Sequence, residues 1–266
     1  RQPRDDTAER ERRRVEMSVD QPGLPRERRS DEQRGLDWLM GQQQENGLVG
    51  TTTWSLFIYG HAIATWVLSE ACLMTPDPAV RRAAQRAADY LEYHRNPYGA
   101  WRYQPRDNDQ DTSVTGWCAM ALAMADLAGL KTNPAARQMA KTWFDSTCDS
   151  TGRGGYQQQG QGSARLSPAH AQRFPIDKTE ALTALALSCR FFLGEELIGN
   201  SPLKQSADTV LAKSPVWEPR AGSIDIYYWY WASMAMCQMG GRYEQTWQRT
   251  FTPSLMLALD RRPAQP

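Results

Sequence analysis

From Arg34 onward the chain alternates two kinds of apolar pattern. In the first, Ala83, Ala84, Ala87, Tyr90, Leu91 and His94 fall at helical spacing, opposed by Arg81, Arg82, Gln85, Arg86, Asp89 and Glu92. That is an amphipathic helix with one wet face. In the second, residues 114–122 are apolar nearly all round, a pattern that predicts a helix buried on every side. Glycine and proline punctuate the joints between them. The alternation predicts an all-α chain in two layers, with amphipathic helices outside and apolar helices inside.

The pattern returns at a fixed period. Trp38-Leu39, Gln43 and Gly47 are matched by Tyr90-Leu91, Arg95 and Gly99-Ala100-Trp101, and again by Trp143-Phe144, Cys148 and Gly152. Trp38, Tyr90 and Trp143 stand 52 and 53 residues apart, and the internal spacing is the same each time. A fixed period of this size means stacked helical hairpins, none able to bury its apolar face alone. The apolar helices keep a register of their own in Thr65, Thr115, Thr183 and Ser233, separated by 50, 68 and 50 residues. The 18 extra residues match the Gln/Gly-rich stretch from Gln157 to Pro175, read as a loop inserted between the two helices of the third unit. The units fall at about 31–75, 76–130, 133–195 and 200–241, the last with its outer signature eroded to Ala207, Val210, Leu211 and Trp217. A closing helix is expected over 242–260.

Residues 1–30 read as a charged linker or exposed segment, too poor in large apolar side chains to offset its ordering entropy. Over the whole chain the composition is globular: 41% apolar, with ten each of Trp, Tyr and Met among 266 residues. A net charge of +1 gives no footprint for nucleic acid or an anionic membrane. No run of 18 apolar residues predicts a transmembrane segment. Cys72, Cys118, Cys148, Cys189 and Cys237 lie in or beside apolar helical patterns and read as small buried hydrophobes, which leaves the compartment open.

The first repeat, Arg34-Gly35, Trp38-Leu39, Gln43 and Gly47, resembles the QW motif of the squalene-cyclase and prenyltransferase superfamily, with Val49 where the motif ends in Trp. The second repeat keeps that Trp101 but has Arg95 for Gln; the third has Cys148 and no terminal Trp. The resemblance covers about residues 31–241. It implies an α/α toroid, in which hairpins form a concentric barrel around a central cavity and the motif stitches neighbouring outer helices. Rings of that superfamily have six hairpins, whereas four and a closing helix are counted here. Three alternatives stay open: an incomplete ring, one completed by a partner or an oligomer, or one of which this sequence holds only a part.

The same resemblance supplies the candidate chemistry. Class II terpene cyclases protonate their substrate with the central Asp of an Asp-x-Asp-Asp-Thr motif, and Asp109-Gln110-Asp111-Thr112-Ser113 is similar. In one register Asp111 is the general acid, with Asp109 beside it; in the other the acid position falls on Gln110 and the site is dead. A carboxylic acid of that kind needs a dry, hydrogen-bonded setting. The alternative reading of Asp111 is the N-cap of the second apolar helix. Asp177 and Glu180 have the spacing of a capping box for the third apolar helix, and a ligand role is the other option. His61 opens the first apolar helix, as a structural residue or facing the cavity. Thr115 and Trp117 on the second apolar helix are further cavity candidates. Tyr227, Tyr228, Trp229, Tyr230 and Trp231 cover every side of a helix. Such rings either pack the core or line a cavity that stabilises carbocations by cation–π attraction.

Other activities of the superfamily lack their residues. No Asp-x-Cys pair for zinc, no Cys-His pair of a lanthionine cyclase and no Cys-Gly-Glu-Gln thioester occurs, and neither Walker nor dinucleotide-binding glycine spacing is present. No metal and no cofactor is expected. Two functions follow: an isoprenoid-like apolar ligand held in the cavity, with Asp111 as cyclase acid, or a non-catalytic scaffold that binds a protein or peptide partner on its concave surface.

Overall fold

The computed structural model describes residues 30–162, 167–173, 179–197, 199, 201–217 and 224–259. It is all-helical: α1 (Asp31–Gly41), α2 (Phe57–Met74), α3 (Pro78–His94), α4 (Thr112–Leu127), α5 (Pro134–Thr147), α6 (Pro168–Arg173), α7 (Ala181–Phe192), α8 (Ser201–Leu211), α9 (Ile226–Met239) and α10 (Gly241–Leu259). Among the described residues the only extended pairings are two isolated bridges, Gln43 with Val49 and Cys148 with Gly154.

Local chemistry starts the helices. Asp77 and Asn133 accept from the backbone N–H groups of Ala79 and Ala135, each just ahead of a proline preset for the first turn of α3 or α5. The apolar helices α4 and α9 begin on Asp111 and Asp225, which accept from Val114 N at 2.8 Å and Tyr228 N at 3.0 Å. The capping box expected at the third apolar helix does not form around Glu180. Glu180 sits at the N-cap position of α7 without a capping bond. Its carboxylate takes Arg153 Nη2 at 2.6 Å and Thr183 Oγ1 at 3.0 Å, because a guanidinium outcompetes a lone backbone N–H. Asp177 lies outside the described residues.

The apolar helices pack in series, α2 on α4, α4 on α7 and α7 on α9, with α3, α5, α8 and α10 set against them. Burial separates the two kinds. Every residue from Ala181 to Arg190 in α7 is buried, whereas α1 buries none. The repeat register is visible at the joints. Each loop docks a backbone N–H onto a side chain of the following apolar helix: Val49 on His61 Nδ1 at 3.0 Å, Trp101 on Thr115 Oγ1 at 3.1 Å and Gly154 on Thr183 Oγ1 at 3.0 Å. Each loop also presses a glycine of positive φ (Gly47, Gly99 and Gly152) against the next amphipathic helix, at Arg86, Met139 and Ser206 respectively. In the first joint Gln43 Nε2 donates to Ala83 O of α3 at 2.9 Å and to Gly47 O at 3.1 Å. The repeated residues are thus the seams between units.

The expectation that apolar all round means buried all round fails at two helices. In α2, Ile63 is 43% and Val67 37% exposed; in α9, Ile226, Tyr230 and Cys237 are exposed. No helix among the described residues covers those faces, so the same composition that buries α7 leaves α2 and α9 partly open. Cys237 is on the open side for that reason, while Cys118 and Cys189 are buried; none of the five cysteines is in a disulfide.

Candidate functional site

The candidate acid comes first. Asp111 is fully buried at the start of α4. One carboxylate oxygen caps Val114; the other accepts from the Tyr156 hydroxyl at 3.0 Å and lies 3.4 Å from Arg102 Nε. Asp109 is half-exposed and pairs with Arg102 and with Gln157. The Arg102 guanidinium also rests over the rings of Tyr103 and Tyr156, 5.2 and 5.8 Å from their centroids. Burial raises the Asp111 carboxyl to about 6, against the donors Val114, Tyr156 and Arg102, which hold it down. Both oxygens are therefore engaged by the protein, in a knot that ties the α3–α4 loop to the segment after α5.

A second polar chain runs beside it. Tyr59 of α2 donates to Ser113 Oγ at 3.0 Å, and Ser113 Oγ lies 2.7 Å from the Tyr227 hydroxyl of α9. Three apolar helices are pinned at one end by this bridge. Further along, Trp66 of α2 meets Phe192 of α7 edge-on at 5.2 Å. Trp117 of α4 stacks on Tyr230 at 5.8 Å and meets Trp231 edge-on at 4.8 Å.

The remaining candidates are placed as follows. Thr115 is buried and accepts from Trp101 N. Tyr228 and Trp229 are buried: Tyr228 donates to Val210 O at 2.8 Å, and Trp229 packs edge-on against Trp217 and Phe251. Trp231 is fully buried. Two cavities open elsewhere: one of about 140 Å³ between α4 and the start of α5, and one of about 330 Å³ by Arg153, Glu180 and Lys213 at the start of α7. Asp111, Tyr227 and Trp231 line neither. No group of three or more His, Cys, Asp or Glu among the described residues is arranged to hold a metal ion. α2 is the single described helix long and apolar enough to cross a membrane, and 44% of it is buried inside the fold. No clear transmembrane segment results.

What the sequence reading missed is a pair of partly open apolar faces. Tyr59, Ile63, Trp66 and Val67 share one face of α2, and Tyr227, Tyr230 and Met234 share one face of α9, at spacings of three and four residues. The two helices are joined at the Tyr59–Ser113–Tyr227 bridge, and Tyr230 stacks on Trp117. The signal for it, an apolar helix with no covering neighbour, exists only once the neighbours are known.

His61 is buried in the second turn of α2. Its Nδ1 accepts from Val49 N, and its Nε2 lies 3.1 Å from Ala87 O, so the neutral ring with the proton on Nε2 satisfies both. Burial lowers its pKa from 6.5 to about 3. A group held below its unfolded value stabilises the fold above pH 6.5, and that contribution is lost as pH falls toward 3. Asp111, held above its ordinary 3.8, works the other way: its contribution is complete below 3.8 and lost as pH rises through about 6. Replacing His61→Gln is therefore expected to flatten the acid side of the stability curve between about pH 4 and 6. One bound proton corresponds to a slope of about 1.4 kcal/mol per pH unit. Urea unfolding of wild type and variant at about pH 4.5, 5.5 and 7 checks this, and an unchanged slope would exclude His61 as the acid-labile joint.

Compared with protein-family models and with curated proteins, the chain matches none.

Proposed function

We propose that this chain is a non-catalytic scaffold, an open arc of the α/α-toroid type, that binds a helix of a protein partner on the open apolar faces of α2 and α9. The observation that carries this reading is the pair of partly exposed apolar faces, with Ile63 and Val67 on α2 and Tyr230 on α9. Contiguous exposed apolar surface is where proteins dock others, and an amphipathic helix laid against it is the matching mode. A cyclase needs instead an open cavity with an acid facing it. Asp111 has both oxygens committed to Val114, Tyr156 and Arg102, which favours the cap over the acid.

The test has two arms. Wild type and Asp111→Asn incubated with squalene and with prenyl diphosphates are expected to give no cyclised product. A synthetic amphipathic helix of leucine and lysine is expected to bind wild type and to weaken at least tenfold against Val67→Asp and Tyr230→Asp. Product formed by wild type and abolished in Asp111→Asn would overturn the proposal.

A further inference from the structure

The cavity of about 140 Å³ between α4 and the start of α5 lies where the repeat turns small. Counted from Thr65, Thr115 and Thr183, the position eight residues on is Leu73 in α2, Ala123 in α4 and Phe191 in α7. Four residues on, it is Ser69, Ala119 and Leu187. Of these three units the second alone has alanine at both places. Ala119 and Ala123 share one face of α4, about one turn apart, and both line the cavity. A void forfeits contacts along its whole lining, so protein interiors keep few of them. A guest of the right size recovers those contacts, and an apolar cavity of about 150 Å³ takes a benzene-sized one.

Its lining divides into an apolar wall and a polar mouth. Trp101, Ala119, Leu122, Ala136 and Leu193 are buried. The Trp101 indole N–H is taken by Leu91 O at 2.9 Å, so the ring has only apolar surface left to offer a guest. Asp126 and Arg137 stand at the mouth as an ion pair, each side chain half-exposed. Thr132 donates its hydroxyl to Asp126 Oδ1 at 3.1 Å. A carboxylate has room for about four donors, so Asp126 can accept one more from a guest. The fitting molecule is a single ring, apolar over most of its surface, with one hydroxyl at its edge.

We propose that this cavity is a binding site for a single-ring phenol, its ring set against Trp101 beside Ala119 and Ala123 and its hydroxyl donating to Asp126. Aromatic rings in edge-to-face or offset contact gain beyond the area they bury, which favours a flat guest over an aliphatic one of equal volume. The site is separate from the open faces of α2 and α9 and does not depend on a partner bound there. The same ring exists free in solution and as the side chain of a tyrosine, and the two sources are told apart by the probe.

Titration of the full chain with phenol, toluene and N-acetyltyrosinamide tests this, followed by heteronuclear NMR at the Trp101 indole N–H. That resonance is assigned by its loss in Trp101→Phe. Phenol is expected to shift it saturably, and toluene to bind more weakly by roughly threefold or more, for want of the hydroxyl. Ala123→Leu fills the space and is expected to weaken phenol binding by roughly tenfold or more. Ala119→Val fills it from the neighbouring turn and serves if the first variant does not fold. N-acetyltyrosinamide bound as tightly as phenol assigns the site to a tyrosine side chain, and phenol bound alone assigns it to a free molecule. No saturable shift with either of these probes overturns the proposal. So does unchanged phenol affinity in the filled variants, or toluene bound as tightly as phenol.

Discussion

Gly47→Ala is expected to lower stability by about 3–5 kcal/mol, because strain and overlap of ~1–3 kcal/mol each act together. Gly47 has φ +93°, where an L side chain is strained. A Cβ there would also lie 2.2 Å from Arg86 O, a backbone atom of α3 that cannot swing aside. Gly50 supplies the control in the same loop. Its φ is +97°, yet nothing lies within 4 Å of the place a methyl would take, so Gly50→Ala should cost only about 1–2 kcal/mol of strain. Urea or thermal unfolding of the two variants separates backbone strain from close approach. Equal losses would mean that the seam between the first loop and α3 contributes nothing to stability.

Trp101→Ala is the second large effect, also expected at about 3–5 kcal/mol. Trp101 is the one terminal Trp of the repeat motif that this chain keeps, and its side chain is fully buried among α3, α4 and the start of α5. Its indole N–H donates to Leu91 O at 2.9 Å, and its backbone N–H reaches Thr115. Truncation leaves a cavity and removes one of the two donors to the Leu91 carbonyl, which keeps the Arg95 N–H at 3.1 Å. Trp101→Phe keeps most of the volume and loses the hydrogen bond, so about 1–2 kcal/mol is expected of it. Unfolding curves that place the two variants together would assign the cost to the bond; wide separation assigns it to packing.

Both predictions fall on residues visible as a repeat in the sequence, and the reason is physical. A seam between stacked units must be rebuilt at every joint, so its glycine and its aromatic ring recur at one spacing. The all-helical class, the 52- and 53-residue period and Asp111 as a helix cap follow from local rules of periodicity and capping. They need no knowledge of distant neighbours.

The candidate site depended on more than local pattern. From its neighbours in sequence Asp111 reads first as a cap and second as an acid; Tyr156, 45 residues away, and Arg102 claim the oxygen that the cap leaves over. Glu180 reads as half of a capping box until Arg153 takes its carboxylate. The aromatic run of α9 reads as cavity wall or core. The fold divides it, burying Tyr228, Trp229 and Trp231 and leaving Tyr230 45% exposed. By itself the sequence determined where the long helices and the unit joints fall, because those depend on contacts within a unit or its recurring seam; the short α6, Pro168–Arg173, formed inside the stretch read as a loop. Only the tertiary structure decided which apolar faces find a covering helix, because an apolar residue looks the same in sequence whether or not another element arrives to cover it.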